Sequence, residues 1–349
     1  MYYDNPNPFG RDSYRDLMCK DARRAFSRFH FGIFAYVASA YLITFLVEII
    51  LSLVLKDTFI SLSENIYFQW IMGVLPMYAI GLPVLFLVVK SMPKRKLETS
   101  KMGLGDFLIL FAIAQALMLI GNSIGTALNS FFAAIKGEEI SNSTSELIEN
   151  SPIWITLVVA VIIGPVIEEF IFRKLMIDRL SRYGTGITVF ISGFSFGLFH
   201  GNFYQFFYAA LLGMLLAYIT IKTGNWIYSV IMHMLINFFG SVASMPILEM
   251  AEEFNASLEA FSAGGTVDFS RLLICGLAVT SYVVFQYGLA ITGIVLLILA
   301  LKHRWYELKN TAEINIPRQD VFPVVFFNAG TIVFLVTSVL LFGISIILG

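Results

Sequence analysis

Long apolar runs separated by short polar stretches dominate the chain. A helix needs about 20 apolar residues to cross a bilayer, and runs of this kind predict nine spans, of which the fifth and sixth are short and nearly continuous across Gly201 and Asn202. The spans are predicted at residues 33–55, 68–89, 105–134, 153–178, 186–201, 204–221, 225–247, 272–301 and 321–348. The pattern therefore predicts an all-α, polytopic membrane protein with about nine transmembrane helices.

The composition supports this class and excludes others. Hydrophobic residues make up 58% of the 349 positions and charged residues only 13%, with a mean hydropathy of +0.79, whereas soluble domains carry about 25% charged residues. The net charge of −1 argues against a nucleic-acid partner, which would require a basic excess. Cys19 and Cys275 lie far apart, so we expect no disulfide framework.

Positive charge is distributed unevenly between the two predicted sides of the membrane. Twenty of the 23 Lys and Arg residues fall on one side and three on the other. Because cytoplasmic loops retain Lys and Arg during insertion, the N-terminus is predicted to be cytoplasmic and the C-terminus outside. We expect an integral protein of a bacterial cell membrane.

The polar residues within spans cluster in the middle of the chain. Together with the span positions, this cluster divides the chain into five segments. Residues 1–32 form a cytoplasmic segment, interpreted either as a helix on the membrane surface or as a solvated tail. The segments that follow are N-terminal transmembrane helices at 33–134, a polar helical core at 150–247, an extracytoplasmic loop at 248–271 and C-terminal transmembrane helices at 272–349.

Apart from Asp106 and Asp178 at span ends, three carboxylates fall inside predicted spans, where charge is costly and each is a functional candidate. Glu48 stands alone near the outer end of the first span. Glu168 and Glu169 lie mid-span, and Arg173 follows Glu169 at the i+4 spacing of a helical ion pair. We predict that Glu169 and Arg173 pair, which leaves Glu168 free for general-base chemistry.

Two of the four histidines also fall inside spans. Phe196 precedes His200 by four residues and Asn237 follows His233 by four, so each histidine shares a helix face with its neighbour. Counting 1.5 Å of rise per residue, Glu168 and both histidines lie at depths that permit them to converge. Small residues allow close approach of these helices: Gly164, Ser192, Gly193, Gly197 and Gly213.

These residues resemble three ordered motifs of the CAAX protease and bacteriocin-processing family. The family patterns EExxxR, FxxxH and HxxxN match residues 168–173, 196–200 and 233–237. Each is weak alone, but together, in this order and on successive membrane helices, they are specific. The resemblance covers about residues 150–247.

The resemblance implies an intramembrane endopeptidase with a catalytic helix bundle in the middle of the chain. It implies that Glu168 activates water, that His200 is the second catalytic residue, and that His233 and Asn237 hold the oxyanion. The physical reading agrees, because hydrolysis needs a base and donors for the developing negative oxygen. The remaining motif residues support the site: Glu169, Arg173 and Phe196.

Several alternatives stay open at this stage. A glutamate mechanism needs no cofactor, but Glu168, His200 and His233 also match a three-ligand zinc site, although each comes from a different helix. A proton-coupled transporter, or a bacteriocin-immunity or peptide-binding protein that does not cleave, is an alternative function. The expected partners are membrane lipid and a membrane-associated or lipidated peptide or protein substrate, whose identity the sequence leaves open, as it does the oligomeric state.

Overall fold

The computed structural model describes residues 11–305 and 307–349, so the first ten residues of the predicted 1–32 segment lie outside it. Within these ranges the chain forms helices and no strands. The α-helices are α1 Arg11–Leu55, α2 Asp57–Ser63, α3 Ile66–Pro76, α4 Leu82–Val89, α5 Leu104–Lys136, α6 Ser143–Glu149, α7 Ile153–Ile155, α8 Gly164–Glu169, α9 Met176–Leu180, α10 Thr185–Phe199, α11 Phe203–Thr223, α12 Ile227–Asn237, α13 Met245–Ser262, α14 Phe269–His303, α15 Arg318–Phe326 and α16 Ala329–Leu348.

In the described ranges, four π-helical segments continue these α-helices, and three of them flank motif residues. They are Met77–Gly81, Thr156–Ile163, Phe170–Leu175 and Phe238–Val242. The second and third lie immediately before and after α8, which ends at Glu169, and the fourth follows Asn237. Widened helical turns of this kind occur frequently at functional sites.

Eight helices in the described part of the chain are long and apolar enough to cross a membrane. They are Tyr14–Leu55, Ile66–Val89, Leu104–Lys136, Ile153–Tyr183, Phe203–Thr223, Ile227–Ser262, Phe269–His303 and Ala329–Leu348. The remaining predicted span, 186–201, corresponds to the shorter apolar helix α10 of 15 residues. The prediction of an all-α polytopic membrane protein is confirmed.

Three boundaries differ from the hydropathy pattern. The described part of segment 1–32 is helical and continuous with the first span, because α1 runs unbroken to Leu55. Residues 248–271, predicted as a loop, include most of α13. The last predicted span is divided between α15 and α16, where the Asn328 side chain donates to the carbonyl of Val325 and accepts from the N–H of Thr331.

The described residues group into two compact units. The first contains the residues up to Leu97 together with Lys174–Ser192 and Leu308–Ser345. Within it α1 packs closely against neighbouring helices, since a Cβ at Gly32 would lie 2.8 Å from the Leu85 side chain. Such close approach is the usual packing of membrane helices, which have no hydrophobic driving force between them in lipid.

The second unit contains Glu98–Arg173, Gly193–Glu307 and Ile346–Gly349, and it holds every predicted site residue. Glycines bring its helices together: Gly121 of α5 lies against the Tyr208 backbone of α11, and Gly293 of α14 lies against Ala112 of α5. Buried apolar side chains of α5, α11 and α12 form its core: Leu110, Phe111, Ile113, Ala114, Leu212, Leu216, Ile219, Met232 and Ile236. α12 therefore places Met232 and Ile236 in the core.

Candidate active site

Glu169 and Arg173 form a fully buried ion pair. Arg173 Nε lies 3.1 Å from Glu169 Oε2, and both side chains have no exposed surface. A buried charge needs such a partner, because removing it from water costs several kcal/mol. The pair predicted from the i+4 spacing is confirmed, and it persists although Arg173 lies in a π-helical segment.

The guanidinium of Arg173 occupies a space made by a glycine. Its Nη2 donates a hydrogen bond of 3.3 Å to the backbone carbonyl of Gly213. A Cβ at Gly213 would lie 3.2 Å from that nitrogen and 3.0 Å from the ring of Phe196. The sequence marked Gly213 only as a small residue for helix packing. The structure shows that it also makes room for the buried arginine.

Phe196 connects the arginine with both histidines. Its ring centroid lies 4.5 Å from Arg173 Cζ, a cation–π contact. The same ring meets the His200 ring edge-on at 4.8 Å and the His233 ring edge-on at 5.6 Å. Phe196 is 1% exposed. The phenylalanine of the FxxxH pattern therefore packs against both imidazoles and against the buried arginine.

His233 lies between the two glutamates. Its Nδ1 is 3.0 Å from Glu169 Oε1, and its Nε2 is 3.7 Å from Glu168 Oε2. A carboxylate on one imidazole nitrogen orients the ring and sets its tautomer, as the acid of a catalytic triad does. Glu169 therefore holds both Arg173 and His233, and the Nε2 atom of His233 is directed at Glu168.

His200 lies just beyond the end of α10, where the chain turns. Gly201 has a φ of +66°, a left-handed conformation that glycine adopts without cost, and Asn202 caps α11 by accepting from the N–H of Gln205. The turn leaves the carbonyl of Phe196 available to the His200 ring, whose Nδ1 donates to it at 2.8 Å. The His200 Nε2 atom is left for water or substrate.

Asn237 connects α12 with the helix that carries the glutamates. Its Nδ2 donates a 2.9 Å hydrogen bond to the carbonyl of Ala160, eight residues before Glu168. The carbonyl belongs to the π-helical segment Thr156–Ile163. No pattern in the sequence pointed to Ala160 as the partner. One hydrogen of the Asn237 amide remains for another acceptor.

Glu168 differs from its neighbour in exposure. Its side chain is 23% exposed, whereas that of Glu169 has no exposed surface. Its distance of 3.7 Å from His233 Nε2 is too long for a direct hydrogen bond. The less constrained carboxylate of the pair is thus the one accessible to water.

The structure brings together six of the seven predicted site residues around the Phe196 ring and the glutamate pair: Glu168, Glu169, Arg173, Phe196, His200 and His233. Asn237 contacts the glutamate helix at Ala160 instead. Three of the predicted small residues make the approach possible, because Cβ atoms at Gly193, Gly197 and Gly213 would collide with facing helices.

The zinc alternative requires Glu168, His200 and His233 to form a metal-binding group. In the part of the chain that the structure describes, no group of three or more His, Cys, Asp or Glu side chains is arranged to hold a metal ion. These residues as placed do not fit a zinc site, and we derive no step through a metal.

The helices and the paired glutamates with two histidines define a class: a polytopic membrane protein with a hydrolase-like polar site inside its helix bundle. Sequence comparisons refine it. Residues 150–239 match the family described as "Type II CAAX prenyl endopeptidase Rce1-like". The predicted resemblance to the CAAX protease and bacteriocin-processing family is confirmed over this segment.

One curated relative extends the similarity beyond this segment. The protein named "Putative membrane peptidase YdiL" of Bacillus subtilis (strain 168) is 23% identical over 186 residues, which cover 52% of this chain and 76% of the relative. No solved structure matches the chain.

Proposed function

We propose that the protein is an intramembrane endopeptidase in which Glu168 activates the water that attacks a peptide bond. The observation that carries this proposal is the division of labour between adjacent glutamates. Glu169 is fully buried and bonded to Arg173 and His233, whereas Glu168 is partly exposed beside the Nε2 atom of His233.

The proposed reaction follows from this geometry. The Glu168 carboxylate takes a proton from the attacking water, and the resulting hydroxide adds to the substrate carbonyl. Glu168 then gives the proton to the amine leaving group, so the peptide bond breaks and one water is consumed. The remaining Asn237 amide hydrogen is assigned to the oxyanion. His233 is assigned to the same role in its doubly protonated form, with Nδ1–H on Glu169 and Nε2–H on the oxyanion. His200 Nε2 is assigned to hold the water.

The substrate is proposed to be a membrane-associated or lipidated peptide or protein. The family description names a prenyl endopeptidase, and both glutamates and His233 lie in helices long and apolar enough to cross a membrane. A peptide segment must therefore reach Glu168 from within or beside the bilayer.

The test compares membrane proteomes and released peptides from cells that carry the wild-type chain or Glu168→Gln. Gln keeps the size of the side chain but cannot accept the proton. We therefore expect cleavage to fall by about 10²–10⁴-fold, the contribution of general-base catalysis. Lys96→Ala, an exposed cation elsewhere, should cleave like the wild type.

Each competing interpretation predicts a different result. If Glu168→Gln leaves the released peptides unchanged, the glutamate mechanism is refuted. If cells that carry Glu168→Gln or His233→Ala stay as resistant to a bacteriocin as cells with the wild-type chain, a bacteriocin-immunity role does not depend on cleavage. If one zinc is bound per chain, and chelation abolishes activity that zinc restores, the metal mechanism replaces this one.

A further inference from the structure

A basic cavity lies in the first unit, where α1 crosses α16. It has a volume of about 890 Å³ and is lined by three arginines of α1 and by apolar residues. We call it the arginine pocket and define it by six of its residues: Arg23, Arg24, Arg28, Phe31, Phe327 and Val333. It shares no residue with the candidate active site.

The walls of the arginine pocket are held by a tight helix crossing. The N–H of Gly330 donates to Ser27 Oγ at 2.9 Å, and a Cβ at Gly330 would overlap the Ser27 carbonyl oxygen. One turn further, His30 Nδ1 lies 2.7 Å from Thr331 Oγ1. The two helices that carry the lining residues are therefore held together at this crossing.

The positive charge of the pocket has no counter-charge in the described structure. Arg23 and Arg24 are exposed and have no ion pair among the described residues. Arg28 is fixed by donating to the Val88 carbonyl at 2.7 Å and to Ser91 Oγ at 2.6 Å, both neutral acceptors. Arg24 and Arg28 are four residues apart on one helix, an arrangement in which like charges repel.

The nearest acids along these helices have other partners. Asp320 accepts from Arg15 at 2.7 Å, and Asp21 accepts from the hydroxyl of Tyr183 at 2.8 Å. Among the residues that the structure describes, no carboxylate lines the pocket. The N-terminus of the 20-residue helix α16 also lies there and adds partial positive charge. An anion from outside the chain would neutralise this site.

The other side of the pocket is apolar. Phe31 is 46% exposed and Phe327 is 63% exposed, and the apolar span Ala329–Leu348 begins beside them. The pocket thus lies at the boundary between the charged end of α1 and the membrane-spanning part of α16. A ligand that matches both sides carries an anionic headgroup and an acyl chain.

We propose that the arginine pocket binds an anionic phospholipid, with its phosphate on the arginines and an acyl chain along Phe327 and Phe31. The retention of positive charge on one membrane side explains an excess of arginine. It does not explain why three arginines gather in one acid-free cavity that also exposes two aromatic rings. Basic pockets between transmembrane helices are a recognised setting for anionic headgroups.

The test uses the full chain purified in neutral detergent and measures lipid binding by native mass spectrometry. Dioleoyl phosphatidylglycerol should bind more tightly than dioleoyl phosphatidylcholine. Each arginine near a headgroup contributes about five-fold in affinity, so R23A/R24A should weaken phosphatidylglycerol binding roughly 30-fold. K94A/K96A removes two exposed cations of the same unit outside the pocket and should bind like the wild type.

Phe327→Ala provides a second, uncharged test in case the arginine variant does not fold. It should weaken phosphatidylglycerol binding while the unfolding midpoint in phosphatidylcholine stays at the wild-type value. The proposal is overturned if R23A/R24A binds phosphatidylglycerol like the wild type, or if K94A/K96A loses as much affinity. Displacement of the lipid by inorganic phosphate at equal concentration would also overturn it, since the site would then recognise a free anion.

Discussion

The buried pair of Glu169 and Arg173 provides the sharpest quantitative prediction about this protein. The two charges lie 3.1 Å apart and neither side chain has exposed surface. Removing one partner leaves the other charge buried without compensation, which typically costs about 3–5 kcal/mol of folding free energy. We expect a loss of this size for Arg173→Met and for Glu169→Gln.

The double variant separates the pair interaction from general damage. With both charges absent, no uncompensated charge remains, so its loss of stability should be smaller than the sum of the two single losses by about 3 kcal/mol or more. The Gln side chain in Glu169→Gln keeps an oxygen that can accept from His233 Nδ1. The His233 contact is therefore disturbed less than the ion pair.

A matched control lies one residue further along the chain. Lys174 and Asp178 form a pair with the same i,i+4 spacing at 2.8 Å, but their side chains are 45% and 15% exposed. Exposed pairs of this kind contribute about 0.2–1 kcal/mol, so Lys174→Met should cost no more than that.

The assay is reversible unfolding in mixed detergent micelles, followed by circular dichroism or tryptophan fluorescence. Losses of the single variants that simply add up in the double variant would refute the pair interaction, because the two charges would then be independent. It is equally refuted if Arg173→Met costs no more than Lys174→Met.

Three further predictions test the packing, the pH response and the topology. Gly213→Ala places a Cβ 2.8 Å from Gly193 Cα, so it should cost about 1–3 kcal/mol of stability and lower activity. Gly288→Ala, where no atom lies within 4 Å of the new Cβ, should be neutral or stabilising in the same unfolding assay. Equal effects of the two substitutions would contradict this prediction. Hydrogen bonds from Arg15 lower the pKa of Asp320. The stabilising contribution of this carboxylate is therefore complete at neutral pH and is lost as pH falls through its folded pKa. The difference in unfolding midpoint between wild type and Asp320→Asn should then shrink in acid. A difference that stays constant with pH would refute this prediction. Because the C-terminus is predicted to lie outside, a C-terminal alkaline phosphatase fusion should be active and a C-terminal fluorescent protein fusion should not fluoresce. The reverse result would overturn the nine-span topology.

The helical architecture followed from local information. A run of some 20 apolar residues has to satisfy its backbone polar groups internally in lipid, so its secondary structure does not depend on distant contacts. The boundaries depended on more. α1 starts well before its apolar run, and the last span divides at Asn328, whose side chain bonds both to the end of α15 and to the start of α16. Hydropathy averages do not detect a single capping side chain.

The site was predictable in part. The pairing of Glu169 with Arg173 needed only a helical spacing, and the three motifs identified the histidines. The partners that come from other helices were not predictable. Arg173 donates to the backbone carbonyl of Gly213, and Asn237 donates to that of Ala160. Both carbonyls lie in apolar runs, where no residue type or spacing marks a backbone group as a hydrogen-bond partner.

The sequence alone determined that this is a helical membrane protein and that its middle segment resembles a membrane peptidase, because hydropathy and motif order are properties of the chain itself. Only the tertiary structure decided that one glutamate is locked between Arg173 and His233 while Glu168 stays accessible, and that Phe196 contacts both imidazoles. The physical reason is that the environment of a carboxylate depends on burial and on neighbours from distant helices. Two adjacent glutamates are identical in sequence and differ only in what the fold places around them.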